Sequence, residues 1–254
     1  MRNKLTIAAM TAGLLLGAAL PVASQSGADP IAAAVASEAR PDRDRARDAG
    51  RKPAETLAFA GVRPGMSVIE IMPGGGYFTR LLSRSVGPQG RIHAFQPQEI
   101  ATRFPNSRTT VEALPSEPGL GNVQTSVAPI DAVAAPAPVD LVFTALNYHD
   151  LHADIMGPAD VAAVNRAVFA ALKPGGAFVV IDHHAPVGAG ASRASDLHRI
   201  DIETVKAEIL AAGFVLEAES DILRRPEDAR TAGVYDPAIR GSTDQFLLRF
   251  RKPA

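Results

Sequence analysis

VIEIMPGGGYF, residues 68–78, is the stretch whose reading decides the fold. Val68, Ile69 and Ile71 are β-branched and lie between turn signals, so they read as a short buried strand with Glu70 near its carboxyl end. Gly74, Gly75 and Gly76 let the backbone turn sharply and leave no side chain between main-chain N–H groups and a ligand. Phe78, Leu81 and Leu82 then show helical spacing, and Gly87 is the expected C-cap. Strand, glycine loop and helix in this order place a ligand at the carboxyl edge of a parallel sheet.

The spacing narrows the ligand. A dinucleotide fingerprint needs G-x-G-x-x-G and an acid about 20 residues later. Gly74 and Gly76 fit, but Thr79 stands at the third position, and the next strand, Arg91 to Phe95, is followed by Gln96. An acid four residues before G-x-G, Glu70 to Gly74, resembles the first motif of the class I S-adenosylmethionine-dependent methyltransferases. That motif runs acid-x-Gly-x-Gly-x-Gly; here Met72 replaces the first glycine.

The remaining order is similar to the same class over some 150 residues. GRIHAF, NVQTSV (Asn122 to Val127) and VDLVFTAL (Val139 to Leu146) read as the next three strands. A helix from about Pro158 to Leu172 carries Val161, Val164, Val168 and Leu172 on one face, and Lys173-Pro174-Gly175-Gly176 stops it before the strand Ala177 to Asp182. Asp201 caps a helix that Gly213 ends. FVLEAES (Phe214 to Ser220) and QFLLRFR (Gln245 to Arg251) complete an antiparallel edge. The resemblance implies an α/β, Rossmann-like class I methyltransferase fold: a seven-stranded, mostly parallel sheet with an antiparallel last strand.

Composition agrees with one such domain, at 46% hydrophobic and 21% charged residues. At the amino terminus Arg2 and Lys4 precede an apolar run from Leu5 to Leu20, and Val22-Ala23-Ser24 offers small residues for cleavage. Residues 1–24 therefore read as a Sec-type signal peptide, which predicts a periplasmic or secreted protein with no stable membrane insertion after processing. An uncleaved anchor is the alternative, although a run of about 16 apolar residues is short for a span. Residues 1–24 hold two positive charges and no negative ones, so their removal takes the formal net charge from −1 to −3. Such a chain has no electrostatic case for nucleic acid. The absence of cysteine excludes disulfides, thiolate nucleophiles and thiolate metal sites.

Residues 25–53 read as a charged linker or helical extension, and residues 54–254 as the methyltransferase-like domain. PDRDRARDAGRKP (Pro41 to Pro53) alternates Asp and Arg. It reads as a solvated helix with ion pairs such as Asp44–Arg47 and Asp48–Lys52. The sharper alternative is a lid that supplies an arginine to a ligand carboxylate.

Chemistry-bearing residues cluster after the fourth and fifth strands. His149, in Asn147-Tyr148-His149-Asp150, is a candidate general base near neutral pH, with Asp150 fixing its tautomer or Tyr148 orienting an acceptor. Equally, His149 and Asp150 could simply cap the loop. Asp182, His183, His184 and His198 could converge over the sheet edge, which raises a divalent-metal alternative. However, His149-x-x-His152 and His183-His184 are not diagnostic spacings, and no residue is assigned as a metal ligand.

The resemblance implies methyl transfer from S-adenosyl-L-methionine to an unidentified acceptor, expected to be a small-molecule substrate. It places Glu70, Met72, Gly74, Gly75 and Gly76 around the cofactor's amino-acid part, Gln96 at the ribose, and Asn147 in the loop near the reactive methyl group. The competing class is an exported non-catalytic or metal-binding protein on a degenerate fold of this type.

Overall fold

The computed structural model describes residues 29–157 and 159–254; the predicted signal peptide lies outside the described residues. Four short helices come first: α1 (Pro30–Ala36), α2 (Asp42–Arg45), α3 (Asp48–Arg51) and α4 (Pro53–Ala60). Then follow β1 (Ser67–Ile71), α5 (Tyr77–Val86), β2 (Arg91–Pro97), α6 (Gln98–Arg103), α7 (Pro105–Ala113), β3 (Val123–Ala128) and β4 (Val139–Ala145). The chain continues through α8 (Val161–Ala171), β5 (Leu172–His183), α9 (Ala194–Leu197), α10 (Ile202–Ala211), β6 (Val215–Ser220) and β7 (Gln245–Arg251).

The strands form one seven-stranded sheet in the order β3-β2-β1-β4-β5-β7-β6, with β7 antiparallel to both β5 and β6. Alternation along the strands builds two cores. Val68, Ile92, Leu141 and Val179 pack under α4 and α5, while Ile69, Phe95, Val142 and Val180 pack under α8 and α10. The parallel strands run outward as β1, β2, β3 on one side and as β4, β5 on the other, with β7 inserted between β5 and β6, so the β1/β4 boundary is the crevice where such sheets bind ligands.

Most strand ends lie within one or two residues of the sequence reading, and two larger differences have a hydrogen-bond cause. Helix α8 starts at Val161 because the Asp160 side chain accepts from the Ala163 N–H. Strand β5 begins at Leu172, through the Lys-Pro-Gly-Gly stretch, because Gly175 and Gly176 exchange backbone hydrogen bonds with Lys252 and extend the ladder.

The segment before β1 is packed onto the sheet domain. Asp29 caps α1, and Ile31 joins the core beside Leu57, Tyr77 and Phe78. The expected local pairs Asp44–Arg47 and Asp48–Lys52 do not form. Asp44 instead meets Arg80 at 2.9 Å with both side chains buried, and Asp48 accepts from Arg40 at 2.6 and 2.8 Å and from the Tyr77 hydroxyl at 2.7 Å. These aspartates point inward because α5 offers Arg80 and Tyr77, which alternating charge along one short segment could not reveal. Among the described residues no helix is long and apolar enough to cross a membrane.

Candidate functional site

A cleft of about 320 Å³ opens at the β1/β4 crevice. Glu70, Met72, Gly74 and Gly75 come from the β1 end and its loop, and Leu146 and Asn147 come from the β4 end. His183, Tyr235, Arg47 and Arg51 close it from three distant parts of the chain. A Cβ on Gly74 or Gly75 would meet nothing within 4 Å, so both leave bare backbone towards the opening. Gly76 does something else. At φ +80° its missing Cβ would lie 2.5 Å from the Leu114 side chain, and it is a packing glycine that lets the start of α5 approach the turn that follows α7.

Met72 occupies the left-handed region at φ +52°, where the motif it resembles has glycine. A side chain there costs about 1–2 kcal/mol. Asn147 holds the bend: its Nδ2 donates to the Met72 carbonyl at 3.2 Å, and its Oδ1 accepts from the Thr144 hydroxyl. Asn147 is thus a staple between the β1 and β4 loops. Leu146 is left-handed too, at φ +66°, so both loops that floor the cleft carry strain.

Charge is distributed unequally along the cleft. Glu70 is 4% exposed and accepts from the Thr79 hydroxyl at 2.6 Å. Burial pushes its carboxyl up to about 7, against the pull of Thr79, Arg51 and Arg80. Arg51 stacks over the Tyr77 ring at 4.5 Å. Burial and then Arg47 depress its guanidinium to about 10. Each group lacks a full counter-charge, so a ligand with an ammonium and a carboxylate would complete both.

Glu70 makes stability pH-dependent with a definite sign. Its folded value exceeds the ordinary 4.5, so below that pH both states are protonated and nothing is lost. As pH rises from about 4.5 to 7 the unfolded carboxyl ionises first, and roughly 3 kcal/mol of stability is lost and stays lost above 7. Glu70→Gln cannot ionise. Guanidinium unfolding is expected to show the variant gaining about 3 kcal/mol on wild type between pH 4.5 and 8; an equal gap at both values would refute this.

His149 sits at the rim. The ionised, fully buried Asp182 accepts from the His149 and His183 main-chain N–H groups at 2.7 Å each. It also accepts from His149 Nδ1 at 2.8 Å. Asp182, not Asp150, therefore fixes the tautomer, leaving Nε2 facing Asp150 Oδ1 and His198 Nδ1, both at 3.2 Å. Burial alone would lower the imidazole, but Asp182 and Asp150 outweigh it and carry it up to about 10. At neutral pH the ligand-free protein thus holds an imidazolium here, not the free base expected from sequence. His183, buried and hydrogen-bonded to Thr243 at 2.8 Å, is pushed down to about 3 by burial and stays neutral.

Two other candidates lie away from the cleft. Gln96 is 2% exposed and its Nε2 donates to the Ser107 hydroxyl of α7 at 3.0 Å, so the side chain leans towards α7 with only its Oε1 left to accept. Tyr148 turns into the opposite core, where its hydroxyl meets Glu208 at 3.0 Å and Asn165 at 2.8 Å. Sequence reading passed over Tyr235 and left Arg51 to the lid alternative. The arginine-rich run was the one visible signal for Arg51; nothing local marks Tyr235.

No family profile matches the chain. It is 27% identical over 189 residues to a ubiquinone/menaquinone biosynthesis C-methyltransferase, UbiE, of Teredinibacter turnerae, covering 72% of this chain and 70% of that protein. It is 30% identical over 197 residues to the protein of the same description from Yersinia pestis (strain Pestoides F), covering 76% and 67%. Among solved structures, a SAM-dependent methyltransferase from Aquifex aeolicus superposes with a TM-score of 0.56 at 18% identity, over 78% of this chain and 88% of that one.

Proposed function

This chain belongs to the class I S-adenosylmethionine-dependent methyltransferases, and from that premise we propose that it methylates a small-molecule acceptor bound beside His183 and Tyr235. The opposed charges of Arg51 and Glu70 across bare glycine backbone carry this reading. They fit the amino-acid end of S-adenosylmethionine: Arg51 would take its carboxylate, Glu70 its ammonium, and the Gly74–Gly75 backbone would lie against it. When bound, the cofactor supplies an electrophilic methyl group on a sulfonium.

The chain's own contribution is chiefly orientation. Asn147 keeps the two loops in register through Met72, and neutral His183 presents an uncharged wall to a positively charged donor. We also propose that residues 1–24 direct export and are removed, on the charge and apolar order at the amino terminus. Mass spectrometry of the protein from its native cell showing an intact Met1 would refute the removal.

Calorimetric titration of the full chain with S-adenosylhomocysteine tests the main reading. One site is expected, with Arg51→Met weakening it at least tenfold. Near pH 6.5 binding should release protons, because an ammonium beside Glu70 draws its carboxyl down from about 7. No heat at millimolar ligand would overturn the proposal.

A further inference from the structure

We propose that His149, Asp150 and His198 form a binding site for one divalent first-row transition-metal ion. His149 Nε2, Asp150 Oδ1 and His198 Nδ1 converge, with separations of 3.2, 3.2 and 3.9 Å. Ligands about 2.1 Å from a shared ion and about 90–110° apart are separated by about 3.0–3.4 Å. The observed triangle therefore closes on an ion after a shift of a few tenths of an ångström along one edge. Two imidazoles and one carboxylate suit zinc or iron(II) rather than magnesium or calcium, and such a set leaves positions open for water or a substrate oxygen.

The surroundings are those of a supported ligand set. Asp182 fixes His149 Nδ1 as the donor, so Nε2 is the coordinating atom, and Asp182 is itself held by two main-chain N–H groups. His198 is delivered by a parallel bridge in which Ile200 donates to the His183 carbonyl at 3.0 Å and Ala185 donates to the Ile200 carbonyl at 2.9 Å. Its backbone is left-handed at φ +55°, a strained conformation for a histidine that does nothing. Asp150 and Asp182 together offset the charge of a dication.

The triad adjoins the cleft, since the His149 ring lies 6.2 Å from that of His183 and the His198 ring 4.9 Å from that of Tyr235. An ion there would stand beside the acceptor. That placement rests on the methyl-transfer reading; ion binding does not.

The test is competition of the chelator-stripped full chain with a chromophoric chelator for Zn²⁺, with Co²⁺ absorption reporting the geometry. One equivalent is expected to bind and to raise Tm. Asp150→Asn should weaken binding at least thirtyfold, as should His198→Asn, which retains a residue tolerant of positive φ. His152→Ala, paired with Glu208 outside the triad, should stay within twofold of wild type. Absence of stoichiometric binding, an equal loss in His152→Ala, or unchanged affinity in Asp150→Asn and His198→Asn would overturn the proposal. S-adenosylhomocysteine titration of the same samples separates the two readings: loss of metal with retained cofactor binding overturns the ion site alone, and the converse overturns methyl transfer alone.

Discussion

Arg80→Met is expected to cost about 3–5 kcal/mol of folding stability in guanidinium titration at pH 7, a large share of a marginal total. Arg80 is 2% exposed and holds Asp44 at 2.9 Å, Glu117 at 2.6 and 2.7 Å, and the Gly75 carbonyl at 2.7 Å. Glu117 is partly exposed and can return to water, so its loss costs little. The buried Asp44 cannot, and an uncompensated carboxylate at 3% exposure is the expensive product. The double variant Asp44→Leu/Arg80→Met removes both charges and should recover most of the loss. Equal destabilisation in single and double variants would show that the pair is not the cause. Since Arg80 also anchors the Gly75 carbonyl, the single variant should weaken S-adenosylhomocysteine binding as well.

Gly74→Val is expected to lower S-adenosylhomocysteine affinity more than a hundredfold while leaving the fold intact. At φ +56° a β-branched residue is strained by about 1–2 kcal/mol, but its Cβ meets no protein atom within 4 Å. The space it fills is the cleft. Gly65→Val supplies the control, because Gly65 has φ +82° and equally open surroundings but lies ahead of β1, outside the cleft. Both variants should lose similar stability in denaturant titration, and only Gly74→Val should lose the ligand. Parallel loss of binding in both would mean that strain, not occupancy, had been measured.

The order of the seven strands and of the helices α5, α8 and α10 was written in the chain itself. β-Branched runs between turn residues became β1 to β5, Asp201 capped α10 with its side chain on the Glu203 N–H, and Gln245–Arg251 formed β7 with the predicted bounds. These are local matters, settled by period, propensity and capping within a few residues of each other. The glycine loop and its acid were legible for the same reason, and their sheet order placed them at the crevice.

Tertiary structure decided what each polar group does, because burial and partner choice join residues far apart in sequence. The place of Gln96 after β2 is local, but Ser107 on α7 decides that its Nε2 is engaged and its Oε1 is the end left to accept. Asp150 was paired with His149 as its neighbour in sequence, yet the tautomer belongs to Asp182 on β5. The Asp/Arg run was legible as charge, but only docking against α5 turned Asp44 and Asp48 inward and set Arg51 into the cleft. Tyr235 arrives because Val234 donates to the Leu197 carbonyl at 3.2 Å. His198 arrives because the chain after α9 pairs with the end of β5. Local sequence specifies backbone conformation, whereas the charge state and reach of a side chain depend on desolvation and on partners that only the folded chain supplies.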